Sequence, residues 1–94
     1  MPETSDVSKP RFYVYILQSR KDNGFYIGYT KDLKNRLTLH SKGMVYSTRN
    51  RRPVKLIHYE YFINQDDAKA REKYLKSGYG RMNFKEMLKR TLTF

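Results

Sequence analysis

Residues 12–18 form a β-branched and aromatic run that is apolar on both faces, a pattern that suits a strand in the middle of a sheet. Asp22-Asn23-Gly24 follows as a turn signal, with Asn-Gly a usual choice for tight hairpins, and residues 25–29 return as a second strand. The chain must therefore begin its fold as an antiparallel hairpin whose first strand needs cover on both sides. Thr30 is expected to cap a helix over residues 31–41, with Asp32 in its first turn, and Gly43 closes it. Residues 42–53 read as a basic loop and 54–62 as a third strand. Asn64, with Asp67 three residues on, resembles a capping box for a helix over 65–76. Gly78 and Gly80 are expected to break the chain before a short helix from Asn83 to about residue 90. The order is β-β-α-β-α-α, a small α/β domain over residues 11–92, preceded by a polar, aperiodic arm over 1–10 that is expected to be disordered.

Lys and Arg number 20 against 9 Asp and Glu, a net charge of +11. This excess attracts phosphate polyanions and makes nucleic acid the first partner to consider. Cysteine is absent and there are two histidines, so neither a disulfide framework nor a closed structural zinc site can be built. A metal, if used, would be a hard cation on oxygen ligands, Mg2+ or Mn2+. No apolar run is long enough to span a bilayer and no signal-peptide core precedes the domain, so a cytoplasmic location is expected.

Within this frame a few residues carry chemistry. Leu33 and Leu37 mark an apolar stripe on the first helix, and Arg36 and His40, four apart, lie together along its edge. Arginine can hold a phosphate by two parallel bonds and offset the charge of a pentacoordinate transition state. Histidine can bond a tyrosine hydroxyl or a phosphate and move protons near neutral pH. Tyr15 and Tyr26 sit on adjacent strands and can reach one end of the sheet together, while Gly28 permits close backbone approach. Glu72 shares a helix face with Ala68 and Leu75, the face expected to be buried; it is either a metal anchor or the partner of Arg71, Lys76 or another base. His58 reads as structural. Lys31, Lys42, Tyr46, Arg49, Arg51, Arg52 and Lys55 suit backbone phosphates, with Tyr46 able to stack on an unpaired base.

Taken in order, these residues resemble the GIY-YIG nuclease family. Tyr13-Val14-Tyr15 stands for the first motif and Tyr26-Ile27-Gly28 for the second. The stretch from Tyr26 to Arg36 with His40 one turn on, and the segment from Ala68 to Lys76, are similar to the signature and to the metal-ligand helix. Arg51-Arg52-Pro53 through Glu60 is like small stand-alone bacterial members. Tyr13 replaces the leading glycine of the first motif, and Tyr29 follows the second. The resemblance implies a three-stranded antiparallel sheet flanked by helices and Mg2+- or Mn2+-dependent DNA cleavage. It also implies Tyr15 and Tyr26 around the general base, Arg36 at the transition state, His40 assisting a tyrosine and Glu72 on the metal. Without an attached recognition domain, the chain is expected to read branched, flap or single-stranded DNA rather than a long sequence. A catalytically weak or inactive nucleic-acid-binding module of the same fold is the alternative, and a ribosome-associated RNA binder a more distant one.

Overall fold

The computed structural model describes residues 11–92; the arm expected over 1–10 lies outside the described residues. Strands β1 (Phe12–Ser19), β2 (Phe25–Thr30) and β3 (Val54–Phe62) form one sheet in the order β2-β1-β3, antiparallel throughout, flanked by helices α1 (Leu33–Ser41), α2 (Gln65–Lys76) and α3 (Gly78–Met87). The doubly apolar strand is the central one, as its pattern requires. Side chains alternate across a strand, so β1 serves two layers. Val14 and Ile16, with Ile27 of β2, meet Ala68, Leu75 and Phe84 of α2 and α3 in the buried core, and Phe25 packs edge-on to Phe84 at 5.1 Å between ring centres. Tyr15 and Leu17 face the other way, where His40 of α1, Val45 and Thr48 are buried.

Three boundaries differ from expectation. The hairpin is wider than a tight Asn-Gly turn: Ser19 and Gly24 pair across it, with the Ser19 amide donating to the Gly24 carbonyl at 2.9 Å, and Asn23 takes φ +61°, a conformation asparagine tolerates. Thr30 is still paired with Tyr13 in the sheet, so Asp32 caps α1 instead, accepting from the Asn35 amide at 3.1 Å. Gly78 and Gly80 do not break the chain but open α3, which starts five residues earlier than Asn83. Ser77 supplies the cap by accepting from the Gly80 amide at 3.1 Å. Gly80 is buried against the end of α2, where a Cβ would overlap the Tyr74 carbonyl. A glycine read from sequence as a breaker is here a point of close helix contact.

Of the partners offered for Glu72, Arg71 is engaged elsewhere. Arg71 is paired not with Glu72 but with Glu60 of β3, in a two-pronged arrangement at 2.9 and 3.0 Å, and His58 bonds the same carboxylate at 2.9 Å. Burial would push Glu60 up, but the Arg71 and His58 hydrogen bonds more than offset it and its carboxyl titrates below the usual range. These three residues fasten α2 to the sheet.

Candidate active site

Tyr15 and Gly28 are register partners across β1 and β2, and Tyr26 is the diagonal neighbour on the same face. The Tyr15 ring lies so close over Gly28 that a Cβ there would fall within it. The ring centres of Tyr15 and Tyr26 are 6.1 Å apart. His40 closes the group from α1, 5.7 Å from Tyr15 and 5.0 Å from Tyr26 between ring centres. The Tyr15 hydroxyl is hydrogen-bonded to His40 Nε2 at 2.8 Å, and His40 Nδ1 to Thr48 Oγ1 at 2.7 Å. Tyr15, His40 and Thr48 have essentially no exposed surface (0%, 1% and 0%), whereas Tyr26 is half-buried. The result is a closed chain of three polar groups with a second phenol at its mouth.

Arg36, one turn before His40, lies beside both phenols. They raise its pKa, Tyr15 foremost through hydrogen bonding, against the opposite pull of burial. Yet among the described residues no guanidinium N–H makes a hydrogen bond of regular geometry to either hydroxyl, so the group acts as a nearby cation whose donors remain available to a phosphate. Burial pushes the Tyr15 phenol up to about 12, partly offset by Arg36. Burial, and next the charge of Arg36, bring His40 down to about 4. Both groups are therefore neutral at physiological pH, phenol next to imidazole.

Glu72 occupies the opposite layer. Its side chain is 23% exposed and pairs with the more exposed Lys76, at 3.0 Å and i,i+4 spacing. Thus Tyr15, Tyr26, Arg36 and His40 come together, and Glu72 is not bonded to them. The basic residues divide between the two ends of α1. Lys31 is exposed at its start, beside an open cleft of about 640 Å3 lined also by Arg11, Tyr13, Lys34 and Tyr59. Lys42 and the loop lie at its other end, where Arg49 stacks over Tyr46 at 4.9 Å and Tyr46 is 82% exposed. Arg51 is engaged with Asp22 at 3.4 Å, and Arg52 donates to the Arg49 and Ser41 carbonyls. Lys55 is exposed at the start of β3, opposite Gln18. Thr48 is the residue that sequence reasoning missed; a hydroxyl eight positions after a histidine, in a basic loop, carries no signal until the loop folds back.

The family profile described as the GIY-YIG catalytic domain matches residues 11–86. The chain belongs to the GIY-YIG family. A UPF0213 protein of Clostridium perfringens is 45% identical over 65 residues, covering 68% of this chain and 69% of the relative. One from Haloquadratum walsbyi is 41% identical over 66 residues, covering 69% of this chain and 73% of the relative. The solution NMR structure of a UPF0213 protein from Bacillus halodurans is similar with a TM-score of 0.54 and 30% identity, covering 82% of this chain and 84% of that one. The GIY-YIG domain thus has a nuclease-type fold, and Tyr15, Tyr26, Arg36 and His40 gather on its first two strands and first helix. No helix among the described residues is long and apolar enough to cross a membrane.

Proposed function

We propose that this GIY-YIG domain is a divalent-metal-dependent DNA endonuclease that hydrolyses phosphodiester bonds and selects DNA structure rather than sequence. The observation that carries this reading is the buried Tyr15–His40–Thr48 chain ending beside Tyr26 and Arg36. Tyr26 is the phenol a nucleophilic water can reach, since Tyr15 is sealed behind it. Ionising Tyr15 alone at pH 7 would cost about 7 kcal/mol, whereas protonating His40 would cost about 4 kcal/mol, on the values of about 12 and about 4. A proton drawn from water through the phenols is thus better held on His40 than left as a phenolate's deficit. Arg36 raises the cost of that imidazolium, and a phosphate on Arg36 cancels its charge; substrate binding therefore makes His40 the stronger base when the base is needed. Arg36 then faces the negative charge that develops on the phosphoryl oxygens.

The donor chemistry fits a hard cation. No group of three or more His, Cys, Asp or Glu side chains able to share a metal ion lies among the described residues; Glu72 would hold a cation alongside water and phosphate oxygens, an arrangement Mg2+ accepts and structural zinc does not. Its partner Lys76 is exposed and can swing away. Glu72 lies two helical turns from Gln65, whose amide donates to the Tyr29 hydroxyl of β2 at 3.0 Å. Two turns of helix advance about 10 Å, as do three residues of strand. α2 folds back after the two-residue link from β3 and packs on β2, so the helix carries Glu72 from the Tyr29 end of that strand toward its Tyr26 end. A bound cation would polarise the phosphate there. Single-turnover cleavage of labelled single-stranded, duplex, flap and branched DNA with and without Mg2+ tests the proposal; absence of cleavage on every substrate leaves the binding-module alternative standing.

A further inference from the structure

The sheet face that carries Tyr15 continues beyond the cluster. Tyr13 of β1 lies on it opposite its register partner Tyr61 of β3, with Tyr59 as the diagonal neighbour, and Tyr13 is 5.6 Å from Tyr61 and 6.2 Å from Tyr59 between ring centres. Tyr59 and Tyr61 are 53% and 49% exposed. An open sheet face normally carries polar side chains, so three adjoining phenol rings on an edge strand and its neighbour call for a ligand with flat apolar surfaces. The rim supplies the complementary charge: Arg11, Lys31 and Lys34 line the cleft beside Tyr13 and Tyr59, and the acid among them, Asp32, is engaged in capping α1.

We propose that Tyr13, Tyr59 and Tyr61 are a stacking platform for unpaired nucleotides, so that the substrate enters the site as a single-stranded segment of DNA. Bases lie on the rings and their phosphates run toward Lys31 and Lys34. Bases within a duplex are already stacked on one another and cannot use such a surface, whereas a loose strand offers every base as a π-face. Tyr59 is the register partner of Tyr15, so a base seated on it sets the adjoining phosphodiester about one strand spacing from the cluster. The proposal rests on the nucleic-acid reading above but not on catalysis.

Binding measured in EDTA separates the two. Fluorescence anisotropy of a labelled oligothymidine and of a hairpin duplex of equal charge would be compared for the wild type, Tyr59→Thr and Tyr61→Thr; threonine keeps a strand-forming residue and removes the ring. Each substitution is expected to weaken single-strand binding roughly 5- to 100-fold and duplex binding by no more than about two-fold. Tyr59→Phe and Tyr61→Phe should bind as the wild type does. Unchanged single-strand affinity in the threonine variants, or an equal loss on both DNAs with unchanged melting, overturns the platform. So does a dimer in sedimentation that these substitutions dissolve without altering strand affinity, which assigns the face to a second copy of the chain. A protein that binds strands through these rings but never cuts them would refute the nuclease and keep the platform.

Discussion

The hydroxyl end of the Tyr15 ring lies against Gly28, its partner across the hairpin, leaving no space for a Cβ. The glycine of the second motif is thus the floor on which the first motif's tyrosine rests, and the ring's position fixes the hydroxyl that meets His40. Gly28→Ala should displace the ring, lower stability by about 1–3 kcal/mol as an overpacked site does, and remove cleavage. Urea melts with single-turnover assays check both. Normal stability with normal turnover would show that the ring has room to move.

The buried His40 gives stability a signature in pH. Its pKa is about 4 in the folded protein against 6.5 ordinarily, so between these values the unfolded chain binds more protons. Stability is therefore complete above pH 6.5 and falls as pH drops toward 4, by about 3 kcal/mol from this group. The phenol gives the mirror image: with Tyr15 raised from 10.0 to about 12, stability is complete below pH 10 and is lost as pH rises through 12. Denaturant melts at pH 7 and pH 4.5 should show the acid drop in the wild type and a smaller one in His40→Asn. Thr48→Val, which strips the hydroxyl from Nδ1, should cost about 1–3 kcal/mol at neutral pH by leaving a buried nitrogen unpaired.

Much of this was legible in the chain because the decisive signals were local. The central strand's apolar run, the Asn64 cap of α2 and the i,i+4 spacing of Arg36 and His40 each name a conformation within a few residues. What stayed hidden depended on the fold's return. Gly80 looks like a breaker until α2 is found against it, and His58 gains its partner only when the period of β3 puts Glu60 on the same face. Arg51 and Arg52 read as phosphate contacts because charge density cannot reveal the Asp22 side chain or the loop carbonyls that engage them. Thr48 and the tyrosine face required the three-dimensional neighbours themselves.

Glu60 and Glu72 differ in what their loss should do, although their side chains are almost equally exposed, 22% and 23%. Glu60 holds the Arg71 fork and His58, so Glu60→Gln should lower stability by about 1–3 kcal/mol with metal-free DNA binding intact. Glu72 is paired with an exposed lysine in a contact of the kind worth under about 1 kcal/mol. Glu72→Gln should leave the melt nearly unchanged, leave DNA affinity equal or slightly higher, and abolish Mg2+-dependent cleavage. Wild-type turnover in this variant would remove Glu72 from the metal, and a collapse in stability would make it structural.

Arg36 should reveal itself in two independent measurements. Arg36→Ala is expected to slow the chemical step roughly 10²–10³-fold at saturating DNA, the loss usual for a missing charge-stabilising donor. The same change removes the second of the two causes that depress His40, so the imidazole pKa should rise from about 4 toward its ordinary value, while the Tyr15 phenol, deprived of a stabilising cation, should move further up. A histidine NMR titration of the two proteins reads the first shift with no substrate present. Arg49→Ala, in contrast, should weaken binding and flatten its salt dependence by about one unit of slope without moving His40. If Arg36→Ala weakened binding, left saturated turnover intact and left the His40 titration where it was, the guanidinium would belong to the surface and the proton path would have to run without it.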